Sequence, residues 1–173
     1  RYVIFVPAIL YAIRENGGVP DPYGVLKRKE GELIKSLLSS GLKEGVIGRT
    51  RGIDLKYWPS TTYWAAVNTF KTLGPDHYDR GLLLEKLIRS KSLDLVSDDG
   101  ESTINEKAPF IGNNDFLPIA KTLFADPRKI TWPEKVDFKL RRIEARFLYK
   151  QLMNFYPDSL YVDLLQIPRS KLE

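Results

Sequence analysis

The chain has 173 residues, 43% hydrophobic and 28% charged, enough for a real core in one domain or two small ones. Lys and Arg outnumber Asp and Glu by 27 to 22, and the resulting charge of +5 admits anionic partners. With no cysteine and a single histidine, His77, disulfides, thiolate nucleophiles, Cys-based zinc sites and His–His metal sites are excluded.

The absence of cysteine agrees with an intracellular, reducing compartment, and no cofactor or metal is expected. Positive charge sits at the two ends: residues 1–60 carry 10 basic and 6 acidic side chains, 61–130 carry 9 and 10, and 131–173 carry 8 and 6.

Arg1 rather than Met opens the chain, as in a processed or excised piece. Tyr2 to Ile13 is almost wholly apolar, but Arg14 and Glu15 end the run well short of the ~20 residues a membrane span needs. It reads as a buried first element, with a short strand over 3–6 and a helix from Pro7 to Asn16 closed by Gly17-Gly18. Val19 to Gly24 is turn chemistry. Glu30 to Ser40 is a helix with Leu33, Ile34, Leu37 and Leu38 as its apolar face and Gly41 as its stop. Val46–Thr50 and Ile53–Trp58 are β-prone runs on either side of Arg51-Gly52, the pattern of a hairpin.

Beyond Pro59, Ser60 or Thr61 caps a helix through Leu73, and Asp79 to Lys91 forms another. A strand is expected over Leu93–Val96, an acidic turn over 97–107, and a short helix from Asn114 or Asp115 to Ala125. Thr131 and Glu134 make a capping box, with Pro133 in the first turn, for a long helix reaching Phe155. On it Lys135, Lys139, Arg142, Arg146 and Lys150 fall within roughly 80° of arc at ~100° per residue. Val136, Leu140, Ile143 and Phe147 form an apolar stripe alongside, suited to sealing a core. The apolar patch from Leu160 to Ile167 is expected to pack back on the domain.

Helix, turn, helix and hairpin across residues 7–58 follow the order of a winged-helix module, and the passage from Leu37 to Ile47 resembles its run from recognition helix into wing. The likeness is to that fold. It implies that Lys27, Arg28, Lys29 and Lys35 face DNA while Arg49, Arg51 and Lys56 sit in the wing, where phosphate contacts supply most of the affinity. The expected class is α+β and mainly helical: a winged-helix-like helix/hairpin module over 1–59, then a helical region over 60–173 packed on it as one unit and ending in the long basic helix.

Nucleic-acid binding, with DNA ahead of RNA, is the leading function: a regulator, an initiator or a subunit of a nucleoprotein assembly. The alternative is a helical protein-interaction subunit without enzymatic activity. Asp54 and Lys56, two apart on an expected strand, suggest a third reading. With Asp21 or Glu30 as further carboxylate they match the acidic-x-Lys element of a metal-dependent nuclease. The aromatic cluster Tyr57, Trp58, Tyr63, Trp64 and Phe70 reads chiefly as core.

Overall fold

A helix that is apolar all round must be covered on every side. Helix α1 (Tyr2–Glu15) meets that condition, since eleven of its fourteen residues are buried. The computed structural model describes residues 1–42, 44–52, 54–93 and 114–166, with side chains as far as 88 in the third stretch. Packed on α1 are α2 (Pro22–Ser39), α3 (Pro59–Thr62), α4 (Trp64–Thr69), α5 (Arg80–Leu93) and α6 (Leu117–Lys121). Helix α7 (Arg142–Phe155) joins the core through Phe147, whose ring lies 5.3 Å from Phe116, and α8 (Leu160–Gln166) packs on α7. The protein is mainly helical, and the described residues contain one isolated bridge, Asp126 to Thr131, in place of a sheet.

The expected strand over 3–6 is instead the first turn of α1. The Ile4 and Phe5 N–H groups both donate to the Arg1 carbonyl, at 2.9 and 3.1 Å, so the helix starts ahead of Pro7. Pro7 removes one intrahelical bond, a cost offset by the burial around it. Helix α2 also starts earlier than expected. Asp21 is its N-cap, accepting the Gly24 N–H at 2.8 Å, and Pro22 occupies the first turn.

Between α2 and α3 the described residues of 44–58 form turns, bends and irregular chain, with no strand of the expected hairpin among them. Gly45, Gly48 and Gly52 all have positive φ, and the Gly52 N–H donates to the Gly48 carbonyl at 2.7 Å. Such closely spaced left-handed residues curl the backbone and leave its β-prone runs too short to pair. The expected single helix after Pro59 is divided at Tyr63 into α3 and α4, and the Tyr63 ring stacks on Tyr2 at 5.0 Å. The expected strand lies outside the described residues except for Leu93, which closes α5, and the acidic turn lies wholly outside them.

The long basic helix is the largest correction. Residues 131–141 are not helical, and α7 begins only at Arg142. Side chains of α2 capture the backbone that a helix would have used. Ser36 Oγ donates to the Pro133 carbonyl at 2.9 Å, and the Val136 N–H donates to Ser40 Oγ at 3.2 Å. Trp132 Nε1 donates to the Lys29 carbonyl at 2.8 Å. The working N-terminal signal is Glu144, which accepts the Arg141 N–H at 2.8 Å.

That carboxylate also receives Arg1. Arg1 Nε donates to Glu144 Oε2 at 2.9 Å and Nη2 to Oε1, while Nη1 reaches the Asp137 carbonyl and carboxylate at 2.8 and 3.0 Å. The guanidinium is 4% exposed, the Glu144 side chain 0%, and Arg1 also lies over the Phe5 ring. Replacing Glu144 with Ala leaves a buried guanidinium short of its bidentate partner and is expected to cost about 3–5 kcal/mol in denaturant unfolding.

The apolar stripe divides as well. Val136 and Phe147 are buried, but Leu140, on the non-helical segment, and Ile143, in the first turn of α7, are 47% and 50% exposed. Phe147→Ala should therefore lose about 3–5 kcal/mol, whereas Leu140→Ala should stay within about 0.5 kcal/mol of the parent. Equal losses in the two variants would contradict this packing.

Candidate nucleic-acid interface and a buried carboxylate

Tyr2, at the start of α1, holds two basic segments. Its hydroxyl accepts the Ile47 N–H at 3.0 Å, anchoring the turn that carries Arg49 and Arg51. Its ring packs edge-on against Phe138 at 5.4 Å, between Lys135 and Lys139. Phe138 in turn lies 3.7 Å from where a Cβ on Gly45 would sit, so the turn and the extended segment touch. Burial pushes the Tyr2 phenol up to about 12, which keeps it neutral in this role.

Arg49, Arg51, Lys135, Lys139 and Arg142 are all exposed at or beside this end of α1. The expected line of five positive charges is thereby broken into two parts. Lys135 and Lys139 lie on the extended segment, with Asp137 between them bound to Arg1. Arg142, Arg146 and Lys150 keep the helical i, i+4 spacing on α7, where Lys150 pairs with the exposed Asp115 at 2.6 Å.

On α2 the basic set is also divided. Lys27, Arg28 and Lys35 are exposed, whereas Lys29 is buried and its ammonium is bound to Glu32 at 2.8 Å. Lys27 Nζ rests over the Trp58 ring at 5.3 Å, and Lys56 Nζ over the exposed Tyr57 ring at 5.4 Å. Trp58, Tyr63, Trp64 and Phe70 pack against the core, so Tyr57 alone of that aromatic cluster stands out at 59% exposure. Asp54 lies in irregular chain and Lys56 on a bend, neither on a strand. Asp21 is used as a helix cap, and among the described residues no three metal-ligating side chains converge.

Sequence reasoning missed the role of Glu30. It is 1% exposed and accepts both the N–H and the hydroxyl of Ser60, the hydroxyl at 3.2 Å. Arg80 reaches the Ser60 and Thr61 hydroxyls at 3.3 and 2.8 Å, completing a latch among α2, α3 and α5. A cleft of about 310 Å³ lies beside it, walled by Tyr23, Leu26, Lys27 and Trp58. Glu30 follows Lys29 on the buried face of α2 beside Leu33 and Ile34, a helical register that was the available signal. A separate cavity of about 330 Å³ between α1 and α6 has apolar walls, and its charged rim is exposed.

The chain was compared with family models, curated proteins and solved structures, and none matches.

Burial raises the Glu30 carboxyl from its ordinary 4.5 to about 7, against the Ser60 hydrogen bonds and the Arg80 charge, which lower it. A folded-state value above the unfolded one means that folding takes up a proton. This group's contribution is therefore most favourable below about pH 4.5 and is lost as pH rises through about 7. Glu30→Gln keeps an acceptor and a donor for Ser60 without the charge. In thermal melts it should raise the midpoint at pH 8 and change it little at pH 5. A parallel shift at both pH values would show that Glu30 is not titrating in this window.

Proposed function

We propose that this protein binds nucleic acid through the basic end of α1, acting as a regulator, an initiator or a subunit of a nucleoprotein assembly. The observation that carries the reading is the joint anchoring of two basic segments by Tyr2, which sets the turn that carries Arg49 and Arg51 against the segment that carries Lys135 and Lys139. Clustered guanidinium and ammonium groups release counterions on meeting a phosphate backbone, and this release supplies most of the affinity. The exposed Tyr57 beside Lys56 adds a ring on which a base can stack. A winged-helix arrangement would require strand pairing over 46–58. The reading therefore rests on charge and placement, with Arg49 and Arg51 at a turn where a wing would be. Duplex DNA is the first probe.

Fluorescence anisotropy with a labelled duplex across a salt series provides the test. Lys135→Ala/Lys139→Ala/Arg142→Ala should weaken binding strongly and flatten the salt dependence by roughly two to three units, about 0.9 for each phosphate no longer neutralised. Folding should be nearly intact, because exposed charges contribute roughly 0–1 kcal/mol each. Affinity and slope unchanged from the parent would remove the interface.

A second reading, a protein-interaction subunit, is favoured by α8. Val162 alone is buried there, and Leu160, Tyr161, Leu164 and Leu165 are 70%, 73%, 49% and 55% exposed. Apolar side chains gathered on one helix face are a common mark of protein contact. Association through them would persist at high salt, in contrast to phosphate binding.

A further inference from the structure

The turn that Tyr2 anchors is shaped as well as charged. An open concavity of about 430 Å³ is lined by Val46, Gly48, Arg49, Thr50, Arg51 and Leu55. Its backbone is closely specified. Gly48 has φ +83°, and a Cβ there would collide with the Gly52 carbonyl oxygen and crowd both Leu55 methyl groups at 3.4 Å. The N–H groups of Arg49, Gly52 and Asp54 are taken by the carbonyls of Val46, Gly48 and Arg51. Those of Thr50 and Arg51, at the tip between, donate to no protein group among the described residues. Successive free N–H groups in a turn form a concavity suited to an anion. Arg51 makes no ion pair among the described residues, and the exposed Glu44 and Asp54 on either side do not line the hollow.

We infer that this turn is a discrete phosphate-binding site. It holds a single phosphate group between the Thr50 and Arg51 N–H groups, the Thr50 hydroxyl and the Arg51 guanidinium fork. Diffuse positive charge and a built cradle differ in one testable respect. Charge alone is indifferent to the exchange of arginine for lysine, whereas a cradle needs the planar fork and its paired donors. The macromolecular source of the phosphate, a phosphodiester of the nucleic-acid backbone, rests on the function proposed above. The same chemistry holds a free phosphoanhydride.

Two probes separate those sources: inorganic pyrophosphate followed by titration calorimetry, and a labelled DNA duplex followed by anisotropy. Both are used with the full chain. The charge-preserving variant Arg51→Lys and the turn-breaking variant Gly48→Ala should each weaken pyrophosphate binding about tenfold or more. Duplex binding should weaken by a smaller factor, since other contacts remain. If Gly48→Ala unfolds the chain in circular dichroism, the lysine variant alone decides. Pyrophosphate that fails to bind the parent, or binds the lysine variant within about twofold of it, overturns the cradle. A duplex that still binds parent and variant alike in that case leaves the nucleic-acid reading standing. Pyrophosphate lost from the variants, with no duplex binding even to the parent, keeps the cradle and removes the nucleic-acid reading.

Discussion

Arg1 enters the protein interior with its charge intact, and much of the remaining architecture answers to that. A guanidinium taken out of water without a partner costs several kcal/mol, so a buried one must be both paired and fully hydrogen-bonded. Glu144 provides a bidentate partner and Asp137 two further acceptors, from the far end of the chain. The pairing fixes the path of 137–144 and the point at which α7 begins. Tyr2, one residue on, repeats the pattern with a hydroxyl for Ile47 and a ring for Phe138 and Tyr63.

The start of α1 is thus where distant parts of the chain are sewn together by polar contacts, while the rest of that helix is sealed by apolar ones. Basic residues collect at the same place as a consequence. Segments held there by backbone and apolar contacts present their charged side chains outward, as Arg49, Arg51, Lys135 and Lys139 do. Lys29 shows the opposite outcome. It lies on the face of α2 that packs inward, next to Glu30, and its charge is satisfied by Glu32. The latch from Glu30 to Ser60 carries its own penalty, because a carboxylate this deeply placed is ionised only with difficulty near neutrality.

Much of the helical framework was legible residue by residue. The apolar run Tyr2–Ile13 announced a buried element, and the spacing of Leu33, Ile34 and Leu37 announced the inward face of α2. Asp21-Pro22 was a legible helix start as well, hidden by Gly24, a residue that argues for a turn. Of the candidate interface, the sequence displayed the basic residues but not their grouping. Nothing in the order of residues says that Tyr2 will hold both Ile47 and Phe138. Glu30 carried no signal beyond its register on α2, since its partner Ser60 is distant in sequence and ordinary in type.

A mainly helical protein, an excess of basic residues toward both ends and a first element that must be buried all follow from the order of residues. Helical periodicity and hydrophobic transfer are local or additive properties, and these conclusions need little more. The start of the last long helix and the pairing of residues 46–58 depend instead on contacts between distant parts of the chain. The capping box at Thr131 and Glu134 offered a stabilisation of about 1 kcal/mol. Against it stood the hydrogen bonds of Ser36 and Ser40 to the backbone of 133–136 and the pairing of Arg1 with Glu144, whose loss would strand a buried charge at a cost of about 3–5 kcal/mol. The larger nonlocal terms prevailed, and they moved the helix start to Arg142.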